Sequence, residues 1–169
     1  MNWSVPKPGT MPHFAIFELN QGRLCEALPL VRMAVPEIDR PRWTNYCENL
    51  IRLNGGVLVA TASDDGMHGL AIYHPVEDLR LGWIIRVDAM VTFELNPANP
   101  VRKALCEAVE KLCDTMEARG IVLMIAERVS GDPGSSKARG WESAGFRQHG
   151  TALWKPERHG RRIAWSEAG

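Results

Sequence analysis

The stretch from Leu81 to Glu127 constrains this chain most. Leu81 to Leu95 alternates like a strand, with Trp83, Ile85, Val87, Ala89, Val91, Phe93 and Leu95 on one face. Arg86, Asp88, Thr92 and Glu94 interrupt the other face. So long a strand implies a bulge or bend inside it. After the loop Asn96-Pro97-Ala98-Asn99-Pro100, a helix is expected from about Pro100 to Arg119. Val101, Ala104, Leu105, Ala108, Val109, Leu112 and Met116 form its apolar stripe, and Lys103–Glu107 and Glu107–Lys111 pair on its exposed side. Gly120 is expected to end it at the C′ position, and IVLMIAE follows as a fully buried strand. Strand, helix and strand in this order make a right-handed crossover between parallel neighbours.

The elements before this unit read as an antiparallel meander with two helices inserted. His13 to Leu19 is a first strand. Gln21 to Val35 has helical spacing, broken near Pro29 because an interior proline removes a donor and clashes with the preceding turn. Pro41 to Leu53 is a second helix, with Trp43, Tyr46, Cys47, Leu50 and Leu53 on one stripe and Asn54-Gly55-Gly56 as its stop. GVLVATAS and MHGLAIYHPV flank Asp64-Asp65-Gly66 as a hairpin. After the buried strand, a Gly/Ser loop precedes a short helix with Trp141, and FRQHG and TALWKP close the chain as two short strands. The expected order is β-α-α-β-β-β-α-β-α-β-β, a mixed α/β fold with a mostly antiparallel sheet of six to seven strands. Residues 1–12, with Pro6, Pro8 and Pro12, read as a flexible leader, 13–156 as one domain, and 157–169 as a basic tail.

Charge excludes some functions. Twenty Lys and Arg balance twenty Asp and Glu, whereas a general nucleic-acid binder needs excess cations to displace counterions. No run approaches the roughly 20 apolar residues of a membrane span. The N-terminus has no apolar signal core, so the cytoplasm is the expected compartment. Cys106 and Cys113 stand about 10.5 Å apart along a helix, beyond disulfide reach. All four cysteines are read as reduced, semi-buried apolar residues. No metal site is expected. His68 and His74 share a face of a regular strand but lie about 20 Å apart along it.

That order of elements, with ARGWESAGFRQHGTALWKP at its end, resembles the GCN5-related N-acetyltransferase (GNAT) superfamily over roughly His13 to Pro156. Paired helices after strand one, a long fourth strand leading by a loop into an amphipathic helix, and WESAGF where the family commonly reads YEKLGF carry the resemblance. It implies transfer of an acetyl group from acetyl-CoA to an amine of a small molecule or peptide. The family's R/Q-x-x-G-x-G/A loop corresponds here to Pro97-Ala98-Asn99-Pro100-Val101-Arg102, with proline in place of Arg/Gln and Pro100 and Arg102 in place of glycines. Two readings follow. Either the amides of Val101, Arg102 and Lys103 still hold a pyrophosphate, helped by both cationic side chains, or the site is degenerate. In the second case the chain is an inactive binding or structural module on the same scaffold.

The resemblance also implies the remaining roles. Backbone groups near Val91, Thr92 and Phe93 would meet the acetyl and pantetheine portion. A carboxylate on strand four would take the amine proton, with Asp88 preferred over Glu94. The plainer reading of Asp88 is an ion pair with Arg86. Trp141 stands where the family places an acidic tyrosine, and reads as a packing residue or a wall of the cofactor groove. Ser136 is placed to hydrogen-bond the thiolate, though a serine before a helix also serves as its N-cap. Trp43 and Tyr46 either line the acceptor pocket or pack the core. Lys137 and Arg139 extend the basic cluster. A homodimer through a sheet edge or the C-terminal strands is a further expectation.

Overall fold

The computed structural model describes residues 14–62, 66–93, 100–124 and 136–147, with backbone alone for 136–138. Five strands lie side by side in sequence order: β1 (Ala15–Glu18), β2 (Gly56–Thr61), β3 (Met67–Asp78), β4 (Gly82–Thr92) and β5 (Ile121–Leu123). The first four pair antiparallel. β5 runs parallel to β4 over Ile85–Val87. Five strands are therefore described; most of the expected final pair (148–156), the leader before Phe14 and the tail lie outside the described residues.

The helix expected over Gln21–Val35 divides into a 3-10 helix, Gln21–Ala27, and α1, Leu28–Ala34. Pro29 falls in the first turn of α1, where its missing N–H had no helical partner to lose. Helix α2 spans Arg40–Arg52 and begins at Asp39, whose carboxylate accepts the Arg42 N–H at 2.8 Å. It ends at Asn54, which takes φ 54° while Gly55 N–H reaches Leu50 O at 2.8 Å.

Helix α3 runs Pro100–Thr115. Its end corrects the sequence reading. Glu117, not Gly120, takes the left-handed conformation, at φ 52°. Ala118 N–H bonds Cys113 O at 2.9 Å and Glu117 N–H bonds Asp114 O at 3.2 Å, the paired bonds of a Schellman turn. Gly120 instead gives its carbonyl to Ile85 N–H at 2.9 Å, a link to β4.

Helix α4, Ser136–Ser143, closes the same way. Gly145 has φ 85°, Gly145 N–H bonds Glu142 O and Phe146 N–H bonds Trp141 O. Phe146 then packs edge-on against the Trp141 ring, 6.0 Å between centroids. The Gly-Phe pair after WESA is thus a helix stop that folds an aromatic back onto the helix.

Each face of the sheet carries its own core. On one, Trp43, Cys47 and Leu50 of α2 and Leu28 and Val31 of α1 pack on Val57, Val59, Leu70 and Ile72. On the other, Val101, Leu105 and Val109 of α3 and Trp141 of α4 pack on Leu58, Ala71, Ile85 and Val87. Gly69 permits this second contact: a Cβ there would lie 2.7 Å from Val101 Cγ1 and 2.9 Å from Val91 O. β5 is only half-buried and Met124 is exposed, so the expected fully buried strand is corrected. Among the described residues β5 is one edge of the sheet and β1 the other. Cys25 is exposed, contrary to expectation, while Cys47, Cys106 and Cys113 are buried and all four are free.

Candidate active site

A bulge in β4 sets the site. Tyr73 pairs with Val87 and Ile72 with Ala89, so Asp88 has no opposite residue on β3. The extra residue inverts the alternation. Val87 packs with the α3 core, whereas Ala89 and Val91 pack with the α1–α2 core. The single apolar face read from Trp83 to Leu95 is therefore broken at Asp88. β4 itself ends at Thr92, and Glu94 lies outside the described residues.

The bulge presents the Asp88 carboxylate to α2 and β3. Tyr46 Oη donates to Asp88 Oδ2 at 2.5 Å. His74 Nδ1 stands 3.0 Å from the same oxygen, and Arg86 Nε 3.4 Å from Oδ1. Neither nitrogen makes a hydrogen bond, and both atoms are shut off from solvent. The Asp88 side chain keeps 26% of its surface exposed and Arg86 43%. Burial first, and then the Asp88 carboxylate, hold the Tyr46 phenol protonated well above the usual tyrosine range.

Sequence reasoning found Asp88 and its pairing with Arg86, but it missed the partners Tyr46 and His74. Tyr46 shares the apolar stripe of α2 with Trp43, on which its ring stacks at 5.8 Å, so the pattern reads it as core. His74 was set beside His68 on one strand face. A second irregularity, where Ala60 pairs with Gly69 and Thr61 with Met67, lies at His68. The His68 ring instead packs on Phe14, which belongs to the α3 core.

Of the expected cofactor residues, Val101, Arg102 and Lys103 lie on the first turn of α3, and Trp141 touches Arg102. Pro100 opens the helix, the Val101 side chain is buried beneath the sheet, Arg102 is half-buried and Lys103 is exposed. The Arg102 guanidinium lies over the Trp141 ring at 4.8 Å. Arg102, Lys103, Cys106, Glu107 and Glu110 of α3 face Gly140 and Ser143 of α4, and Ala144 just after it, across a cavity of about 310 Å³. Trp141 is buried in the α3 core.

On β4, Val91 is buried and Thr92 half-buried, and the exposed Phe93 commits its N–H to His68 O at 2.7 Å. Ser136 is the first residue of α4; its side chain and Lys137 lie outside the described side chains, and Arg139 is exposed. Among the described residues no cluster of three or more His, Cys, Asp or Glu could hold a metal ion, and no helix is long and apolar enough to cross a membrane.

No protein-family model and no curated protein sequence matches the chain. Solved structures do. One is an aminoglycoside N-acetyltransferase, AAC(6')-Iy, in complex with CoA, at TM-score 0.72 and 15% identity over 92% of this chain and 100% of that one. Others are a Trypanosoma brucei acetyltransferase, TM-score 0.64 at 15% identity over 86% of this chain and 100% of that one, and the ribosomal-protein-alanine N-acetyltransferase of Brucella melitensis biovar Abortus 2308, TM-score 0.65 at 15% identity with the same coverage. At such identity the likeness shows the fold.

Proposed function

We propose that this chain, whose fold is that of the GCN5-related N-acetyltransferases, transfers an acetyl group from acetyl-CoA to an amine of a small molecule or peptide. The observation that carries the reading is the Asp88 carboxylate, raised on the β4 bulge and held by the Tyr46 hydroxyl. An amine attacks a thioester only as the free base, so a positioned acceptor must take its proton. Asp88 is that acceptor, directly or through one water. Its partly exposed carboxylate lets an amine approach, and the bond to Tyr46 removes one rotational choice.

Acetyl-CoA supplies the activated acyl group. Its diphosphate fits the first turn of α3. There Arg102 and Lys103 place two cations at the positive end of the helix, and a proline at the first helical position costs no hydrogen bond. The Trp141 ring holds the Arg102 guanidinium against the groove. Val91 and Thr92 at the end of β4, and Phe93 just after it, would flank the pantetheine arm, with Ser136 offered to the departing sulfur. The AAC(6')-Iy structure with CoA supports a CoA ligand on this fold.

Release of free thiol from acetyl-CoA in the presence of amines tests the reading. Asp88→Asn is expected to lower kcat by about 100-fold or more with acetyl-CoA affinity unchanged. Equal turnover by the two proteins would remove Asp88 as base. Failure of the wild type to bind acetyl-CoA would favour the inactive module, because Pro97 and Pro100 carry no N–H for a phosphate.

A further inference from the structure

Arg86 is left over by this scheme. It lies two residues before Asp88 on β4, and the bulge leaves both side chains on the α2 face of the sheet. Its Nε faces Asp88 Oδ1 at 3.4 Å without a hydrogen bond, and 43% of its side chain remains exposed. Asp88 Oδ2 is engaged by Tyr46 and approached by His74, whereas Oδ1 faces Arg86. A guanidinium has five donors in a planar fork, matched to a carboxylate. One of them is turned to Asp88.

A cation and an anion side by side are the complement of a zwitterion. An ammonium settles on the anion, and a carboxylate one or two bonds away settles on the cation. A polycation would meet repulsion from Arg86 instead. We propose that the acceptor is an amine that also carries a carboxylate, such as an α-amino acid, with Arg86 gripping the carboxylate and Asp88 receiving the amine. This rests on the transferase reading for its chemistry. It sets the acceptor class apart from the aminoglycoside in the name of the structural neighbour.

The balance is simple. The ammonium gives one proton to Asp88 and becomes the free amine; its nitrogen bonds the acetyl carbon, the C–S bond breaks, and the second proton shed by the nitrogen ends on the departing thiolate. The carboxylate held by Arg86 is unchanged.

The test measures acetyl transfer to L-alanine and L-phenylalanine, to their amides, and to spermidine. The wild type is expected to favour each acid over its amide by about 10-fold or more in kcat/KM, the loss expected when a charged hydrogen-bonded partner is removed. Arg86→Gln should raise KM for the acids with kcat nearly unchanged, leave the amides alone, and so erase the preference; Arg86→Lys should restore part of it. Amides or spermidine as good as the acids, or an Arg86→Gln loss equal on both, would overturn the proposal. NMR titration of the same probes without acetyl-CoA separates the two readings. Signals from Arg86 and Asp88 that move with the acids but not the amides support the acceptor class even if no transfer occurs, which would sink the transferase alone. No movement with any acid overturns the acceptor class whatever the wild type transfers.

Discussion

Tyr46 and Asp88, 42 positions apart in the chain, meet in a 2.5 Å hydrogen bond that ties the middle of α2 to the bulge of β4. Tyr46→Phe keeps the ring that stacks on Trp43 and removes only the hydroxyl. The lost charge-assisted bond is expected to cost about 1–2 kcal/mol, lowering Tm by roughly 2–8 °C, with a larger fall in kcat than in acetyl-CoA affinity. A thermal melt beside steady-state kinetics checks this. Unchanged kcat would make the bond purely structural.

Arg102 and Trp141 stand at two positions where the sequence departs from the family pattern, and the two side chains touch. The contact is worth about 0.5–2 kcal/mol, so Trp141→Leu should weaken acetyl-CoA binding by roughly 2- to 30-fold by freeing the guanidinium. With Arg102→Ala already in place, Trp141→Leu should have little further effect. Additive losses in that double-mutant cycle would show that the pair does not act as a unit.

Much of this architecture was legible because it is periodic. The stripes of α2 and α3, the DG hairpin and the parallel unit all follow from spacing, and the need for a bulge follows from the length of β4. Where the bulge falls is not periodic. One inserted residue at Asp88 sends Val87 to one core and Ala89 to the other, and no local residue type marks it. The same reason hid His74, and Tyr46 was hidden because a tyrosine on an apolar stripe reads as core whether or not its hydroxyl finds a carboxylate. The end of α3 failed differently: Gly120 was the stronger left-handed residue, yet the helix turned three residues earlier, on Glu117.

That choice carries strain. A non-glycine residue in the left-handed region costs roughly 1–2 kcal/mol, and Glu117 is exposed. Glu117→Gly is therefore expected to stabilise the fold by about 1 kcal/mol, read as a higher denaturation midpoint with an unchanged m-value. A lower midpoint would contradict the left-handed assignment.

Burial pushes the Cys47 and Cys106 thiols up to about 11 from an ordinary value of 9.0. Because the folded values are raised, these groups contribute stability that is complete below about pH 9 and is lost as pH rises through 11. Denaturation midpoints should be flat across neutral pH and fall between pH 9 and 11, with Cys106→Ala flattening part of that fall. At pH 7 an alkylating reagent should add once to the native protein, at the exposed Cys25. Rapid multiple labelling without denaturant would contradict the burial of the other three.

The first turn of α3 decides whether this fold works as a transferase here, and calorimetry with acetyl-CoA on the full chain addresses it directly. Micromolar binding that weakens about 10-fold or more when Arg102 and Lys103 are replaced by alanine is the predicted result. No heat of binding at millimolar acetyl-CoA would contradict it.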